Sequence, residues 1–259
     1  MYINNLDPVI INFGFLSLRW YSLAYIAGII LGWIYGKNII SKSKIANSSS
    51  IKLEDFDNLI TYIIISIILG GRLGYVIFYN LNYFIENPLE IFMIWKGGMS
   101  FHGGLIGVVL GTAIYCKKVN QEPIVFFDIV ACVAPIGLFF GRIANFINGE
   151  LYGVPTETEW GVIFPNVDDT LRHPSQLYEA FSEGIILFII LNIVIYKTSY
   201  RKGMCSSLFL IFYGVFRILS EIFREPDQHL GYIFDLISTG SLLSLIMIIA
   251  GSLIYFKLR

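Results

Sequence analysis

Long apolar runs separated by short polar connections fall at about residues 20–36, 58–79, 101–116, 123–141, 175–196, 204–223 and 233–256. A bilayer core about 30 Å thick needs roughly 20 apolar residues per helix, so the pattern predicts an all-α integral membrane protein of about seven transmembrane helices. The third run is short and polar at its start, and is expected to enter the membrane obliquely. Glycines recur four apart at Gly28, Gly32 and Gly36, at Gly70 and Gly74, at Gly103, Gly107 and Gly111, and at Gly137 and Gly141. Small residues at that spacing let helix backbones approach closely, which predicts a tight bundle and no chemistry. The connection at 142–174 is long and punctuated by Pro155, Pro165 and Pro174 with Gly153 and Gly161, and Trp160–Phe164 reads as a short strand within it. A structured connection of this length is usually functional, and a lid over an open site is one use for it. With no internal repeat or low-complexity tract, residues 1–259 are expected to form a single transmembrane domain with a loop subdomain at about 142–174.

Composition agrees: 56% of residues are hydrophobic and 14% charged, with a mean hydropathy of +0.68. A soluble domain usually carries about 25% charged residues. The net charge of -1 says little, but the placement of the charges orients the chain. Eleven of the eighteen Lys and Arg flank or lie in alternate connections: Lys37, Lys42, Lys44, Lys52, Lys117, Lys118, Lys197, Arg201, Lys202, Lys257 and Arg259. By the positive-inside rule that side is the cytoplasm, so the N-terminus is expected outside and the C-terminus inside. The opposite connections are acidic, with Glu86, Glu90, Glu157, Glu159, Asp168, Asp169, Glu225 and Asp227. No basic stretch and small-residue cleavage site bracket the first apolar run, so no signal peptide is expected. Cys116, Cys132 and Cys205 are scattered in or beside apolar runs and read as packing residues.

Polar groups concentrate where the fourth run gives out. Gly141-Arg142-Ile143-Ala144-Asn145-Phe146-Ile147-Asn148-Gly149-Glu150, closing at Tyr152-Gly153, gathers a guanidinium, two amides, a carboxylate and a phenol. Each such group buried in hydrocarbon must find a partner. Arg142 is the focal residue, since a planar guanidinium grips a phosphate or carboxylate with two parallel hydrogen bonds. Tyr213, Arg217, Glu221 and Arg224 recur at helical spacing in span six. Arg72, Tyr75 and Tyr79 make a similar stripe on span two, and Gln176, Glu179 and Glu183 on span five. Arg217 paired with Glu221 could be internal glue, but three stripes plus Arg142 toward one membrane face favour a shared polar cavity. His102, at the outer mouth of span three among Gly97, Gly98, Gly103 and Gly104, either caps the helix start or accepts a proton near neutrality. His173 is a loop residue or a cavity-wall donor, and His229 a solvated loop residue. No glycine-rich phosphate loop, zinc spacing or Gly-x-Ser-Gly motif occurs. What remains is an arginine-rich cavity opening outward within lipid, whose natural anionic occupant is a phospholipid head group. A transferring enzyme and a lipid transporter or translocase both fit that description. Polar residues crowded toward one face, without repeat halves, weigh against the transporter.

The 141–153 stretch resembles the signature of the prolipoprotein diacylglyceryl transferase family. Arg19-Trp20-Tyr21, the histidine segment Gly97–Gly104, Arg172–Glu179, and Tyr213–Arg217 continuing to Glu221 and Arg224-Glu225-Pro226-Asp227 resemble its other blocks, in order. Lys96 departs from the histidine segment, where an acidic or small polar residue would be expected. The resemblance implies a multi-pass enzyme of the bacterial cytoplasmic membrane with its site facing the extracytoplasmic side. It would move the diacylglyceryl group of phosphatidylglycerol onto the lipobox cysteine of a prolipoprotein signal peptide, releasing glycerol-1-phosphate. No cofactor, metal or nucleic acid is implied, and membrane lipids are the other partners.

The residues suit that chemistry. The nucleophile belongs to the substrate, so no catalytic cysteine is needed, and a saturated carbon under attack needs no oxyanion hole. A thiol of pKa about 8.5 must lose its proton, at a cost of roughly 2 kcal/mol at pH 7. On this reading Arg142 and Arg217 hold the phosphate, while Asn145 and Asn148 orient Arg142 or the glycerol hydroxyls. Glu150 and Glu221 fix the guanidinium groups, with Arg224 and Gly153 in the same blocks. Tyr21 and Tyr213 line the cavity, and His102 is the candidate base.

Overall fold

The computed structural model describes residues 2–14, 17–43, 45, 51–225, 232–233 and 237–258, leaving out the side chains at 96, 101, 102, 232, 233 and 237–239. The expectations for Lys44, Asp227, His229 and Arg259 lie outside the described residues. Long helices stand at all seven apolar runs: α1 (Trp20–Lys42), α2 (Leu53–Tyr79), α3 (Phe101–Val119), α4 (Pro123–Asn148), α5 (Ser175–Lys197), α6 (Met204–Glu221) and α7 (Thr239–Lys257). Among the described residues, six are long and apolar enough to cross a membrane. The exception is α3, which begins Phe-His-Gly-Gly and ends on Lys117 and Lys118.

Two boundaries differ from the pattern. Run four does not end at 141, because α4 continues to Asn148. Nothing between Gly141 and Asn148 breaks a helix, and Arg142, Asn145 and Asn148 fall at i, i+3 and i+6. The chain turns only at Gly149 and Leu151, both with positive φ, so the outer loop begins at 149 instead of 142. Run seven starts late: Tyr232–Ile233 and Ile237–Ser238 pair as short antiparallel strands before α7.

The chain divides into two compact units, residues 1–47 with 128–259 and residues 48–127. In the smaller unit α2 and α3 form an antiparallel hairpin packed through glycine. A Cβ on Gly74 would lie 2.8 Å from the Cα of Gly103, so the two backbones touch where no side chain fits. In the larger unit a Cβ on Gly28 would lie 3.0 Å from the Cα of Gly137.

The two ends of the larger unit have opposite character. At one, strand β1 (Tyr2–Ile3) pairs in parallel with Val162–Ile163, which pairs antiparallel with Leu171–Arg172. The expected strand at 160–164 is thus the middle of a three-stranded sheet that ties the N-terminal segment to the outer loop. At the other end Asp128, fully buried in α4, accepts hydrogen bonds from Tyr200 Oη (2.7 Å), Gly203 N (2.6 Å), and Ser206 N and Oγ (2.7 Å each). A carboxylate from another helix thereby caps the start of α6. Arg201 donates to the carbonyl of Leu258, which brings connection 198–203 to the end of α7. The basic residues 197–202 and 257 therefore share one end, and the acidic loop around Glu157–Asp169 shares the other with the N-terminal strands.

Candidate functional site

One face of α4 carries the first layer of the site. Asn145 Nδ2 donates to Tyr21 Oη (2.9 Å) and to Glu150 Oε1 (2.8 Å), and Asn148 Nδ2 reaches the same Glu150 oxygen at 3.5 Å. Gln176 Nε2 donates to the Glu150 backbone carbonyl at 2.8 Å. Tyr21 from α1, two amides from α4 and Glu150 from the turn beyond therefore form one network. Glu150 holds amides here and not a guanidinium, a difference from the expectation that it would fix Arg142.

One turn before Asn145, Arg142 enters a second layer centred on Glu179, expected only as one member of the span-five polar stripe. Glu179 of α5 is fully buried and meets three arginines, one on α4, one on α6 and one just beyond the end of α6. Its Oε1 accepts from Arg217 Nη1 at 2.5 Å and from Arg224 Nη1 at 3.4 Å. Its Oε2 lies 2.8 Å from Arg142 Nε, a charge contact out of line for a hydrogen bond. Arg142 Nη2 donates to Glu183 at 3.2 Å, and Arg217 Nη2 lies 2.7 Å from Glu221. The expected Arg217–Glu221 pair is present, one contact of a larger cluster. Tyr213 is buried one turn before Arg217 on α6.

Local sequence explains the arrangement. Gln176, Glu179 and Glu183 share one face of α5, and the stretch Ala180–Ile186 is π-helical. Arg217 and Glu221 share one face of α6, and Arg224 follows just beyond its end. Three arginines and three glutamates then neutralise one another, as burial requires. The cluster leaves donors over: Arg142 Nη1 and Arg217 Nε meet no acceptor among the described residues, on side chains 14% and 12% exposed. Among the described residues Glu183 Oε1, Asn148 Oδ1 and Gln176 Oε1 are buried acceptors without a donor. The arrangement can bind a group that accepts from two guanidiniums and donates from hydroxyls.

The outer loop is clamped over the end of α6. Val154 N donates to Phe223 O (3.0 Å), Glu225 N to Tyr152 O (3.1 Å) and Gly153 N to His173 O (3.0 Å). Gly153 runs between the two strands of contact, and a Cβ there would lie 2.5 Å from Phe223 O and 2.6 Å from His173 Cβ. Its place is that of a spacer that lets the loop reach Arg224. Arg172 locks the loop from outside, with Nη2 2.6 Å from Asp168 and Nη1 3.2 Å from Glu225. The Arg172 hydrogen bond, aided by the Thr170 N–H, holds the Asp168 carboxyl down to about 2. His173 is a loop residue: its Nδ1 is 3.1 Å from Tyr178 Oη, and its ring packs edge-on against Phe223.

Two expected members belong to the smaller unit. Arg72 gives all five N–H groups to backbone carbonyls of its own unit and so anchors the segment that follows α2. His102 lies in the first turn of α3, and its side chain is outside the described residues. The cap of that helix is Ser100, whose hydroxyl accepts from Gly103 N at 3.2 Å. Among the described residues no three His, Cys, Asp or Glu side chains stand close enough to share a metal ion.

The model of a family described as prolipoprotein diacylglyceryl transferase matches residues 8–257. Relatives named phosphatidylglycerol–prolipoprotein diacylglyceryl transferase include one from Rickettsia bellii, 49% identical over 98% of this chain and 95% of its own length. One from Ehrlichia canis is 51% identical over 95% of this chain and 94% of its own. One from Rickettsia typhi is 47% identical over 100% of this chain and 99% of its own.

Proposed function

The chain belongs to the prolipoprotein diacylglyceryl transferase family, and from that premise we propose how its own residues perform the transfer. It is a multi-pass membrane enzyme that moves the diacylglyceryl group from phosphatidylglycerol to a prolipoprotein. We place it in the bacterial cytoplasmic membrane as one catalytic domain, with the site and the 149–174 loop on the extracytoplasmic side. The acceptor atom is the thiol sulfur of the lipobox cysteine.

The thiolate attacks the glyceryl carbon that bears the phosphate. A carbon–sulfur bond forms as the carbon–oxygen bond breaks, and glycerol-1-phosphate leaves with the electron pair. Arg142 and Arg217 hold the phosphate through the N–H groups that Glu179, Glu183 and Glu221 leave open. Charge-assisted hydrogen bonds to the leaving oxygens strengthen as negative charge collects there, which lowers the barrier and not only the dissociation constant. Asn148 and Gln176, each with a buried acceptor free, receive the head-group hydroxyls. Tyr21, fixed by Asn145, and Tyr213 line the path of the glyceryl group, while Arg224 and Gly153 set the loop against the cluster. His102 takes the thiol proton.

The observation that carries this reading is the pair of guanidiniums on α4 and α6 that share Glu179 and, among the described residues, leave Arg142 Nη1 and Arg217 Nε without an acceptor. The test is to incubate the purified full chain with phosphatidylglycerol and a lipobox peptide and weigh the products. A peptide heavier by one diacylglyceryl group, with glycerol-1-phosphate released in equal amount, is expected. A peptide bearing an acyl group alone would overturn the proposed bond changes. The base is tested separately: His102→Gln should lose the rate rise between about pH 5.5 and 7.5 and recover partly at high pH. A slow variant with an unchanged pH profile would give His102 a positioning role.

A further inference from the structure

The segment that Arg72 anchors has no part in the proposed chemistry, yet it is built with care. After the short helix Leu81–Glu86 come two 3-10 turns, Pro88–Phe92 and Ile94–Lys96. A 3-10 helix has three residues per turn, so positions i, i+3 and i+6 lie on one face. Leu89 and Phe92 occupy i and i+3 of the first turn, Trp95 stands in the second beyond a break at Met93, and the three are 75%, 76% and 76% exposed. Glu90, Ile91 and Met93 turn the other way, each half-buried. Their carbonyls accept from Arg72 Nη2 (2.6 and 3.4 Å, from Glu90 and Met93) and Nε (2.9 Å, from Ile91), and those of Gly97 and Gly98 accept from Nη1 at 2.5 and 3.1 Å. The guanidinium also lies over the Phe84 ring, 5.1 Å from its centre. A buried arginine with every donor used fixes the segment, so three large apolar side chains are presented outward by design of the backbone and not by looseness.

We propose that the Leu81–Gly98 segment is a membrane-surface anchor, with Leu89, Phe92 and Trp95 inserted into the interfacial layer of the leaflet at the Tyr79 end of α2. Continuity with the lipid-facing surface of α2 selects lipid as the occupant. Leu73, Ile77 and Phe78 are exposed along the last turns of that helix, and Ile85 extends the apolar surface onto the segment itself. A short amphipathic element with a tryptophan at its edge matches the interfacial layer, where an apolar ring and a polar N–H are both accommodated. The segment carries Glu86, Glu90 and Lys96 and so has no excess of positive charge, which leaves apolar insertion and not attraction to anionic lipid to hold it down.

The test uses the full chain reconstituted in phosphatidylcholine vesicles, with Trp20→Phe, Trp33→Phe and Trp160→Phe leaving Trp95 as the fluorophore. Lipids brominated near carbons 6 and 7 should quench Trp95 at least twofold more than lipids brominated near carbons 11 and 12, and aqueous acrylamide should quench it little. A cysteine-directed spin label in a Phe92→Cys variant repeats the measurement without touching the tryptophans, since Cys116, Cys132 and Cys205 are buried. Its relaxation should respond more to oxygen than to a water-soluble nickel chelate. Quenching of Trp95 by acrylamide alone, with a nickel-dominated label at 92, would overturn the anchor by placing the face in water. Shielding of both probes from lipid and water alike would overturn it in favour of a protein partner.

Discussion

Arg72 and the Arg142–Arg217 pair are buried guanidiniums on membrane helices, and they do opposite things. Arg72 meets five neutral carbonyls and the Phe84 ring and uses all five N–H groups, so its charge is solvated by a loop and no N–H is left over. Arg142 and Arg217 meet carboxylates, which balance their charge with few contacts and, among the described residues, leave N–H groups over. A buried arginine is thus a candidate ligand-binding group only when its neutralising partners leave donors unused. The count of arginines in a sequence cannot make that distinction; the acceptors around each one do.

That contrast can be broken by experiment, and the largest effect is expected at the shared carboxylate. Glu179→Gln keeps the shape but leaves three guanidiniums short of one negative charge, and breaking a buried ion pair on one side costs about 3–5 kcal/mol. Thermal stability in detergent should fall steeply and transfer should be lost. A stable, active variant would mean that Glu179 does not organise the cluster. Next in size is Arg72→Lys, which strands at least two of five partly buried carbonyls, at most about 1–3 kcal/mol each. Protease should then cut within 86–98 much faster, while the transfer rate per folded molecule should change less than stability does. If activity fell far more than stability, Arg72 would belong with the catalytic arginines.

Arg142→Lys and Arg217→Lys supply the sharper half of the comparison. Lysine keeps the charge and loses the planar fork. Each lost charge-assisted hydrogen bond is worth about 1.5–3 kcal/mol, so transfer should slow about ten- to a hundredfold, with a melting temperature that moves little. Near-normal rates with either variant would remove phosphate gripping from that position. The smallest effect is expected at the loop lock. Asp168 has its pKa depressed from 3.8 to about 2, so its contribution to holding the loop is complete above about pH 4 and is lost as pH falls toward 2. Trp160 fluorescence, in a variant with no other tryptophan, should change in that window, and Asp168→Asn should abolish the transition.

Much of this was legible in the sequence. Run length and spacing located every long helix, because lipid forces apolar residues into continuous stretches with few alternatives. The Arg217–Glu221 contact followed from helical spacing on a single element. Glu179 was visible only as one member of a polar stripe; that it joins Arg142 and Arg217 depends on how α4, α5 and α6 pack, which no local spacing encodes. The fate of Arg72 was hidden for a different reason. Its partners are backbone carbonyls, and every residue has one, so no side-chain pattern announces them. The helical state of 142–148 was misread because polar residues at the end of an apolar run look like a loop, although their i, i+3, i+6 spacing already favoured a helix.

The central claim is that Arg142 and Arg217, unlike Arg72, have donors available for phosphate. The direct measurement is binding of glycerol-1-phosphate to the detergent-solubilised full chain, followed by phosphorus magnetic resonance in the wild type and in Arg142→Lys, Arg217→Lys and Arg72→Lys. Binding should be kept in the wild type and in folded Arg72→Lys, and weakened about tenfold or more in each of the other two. Equal binding by all four proteins would contradict the claim.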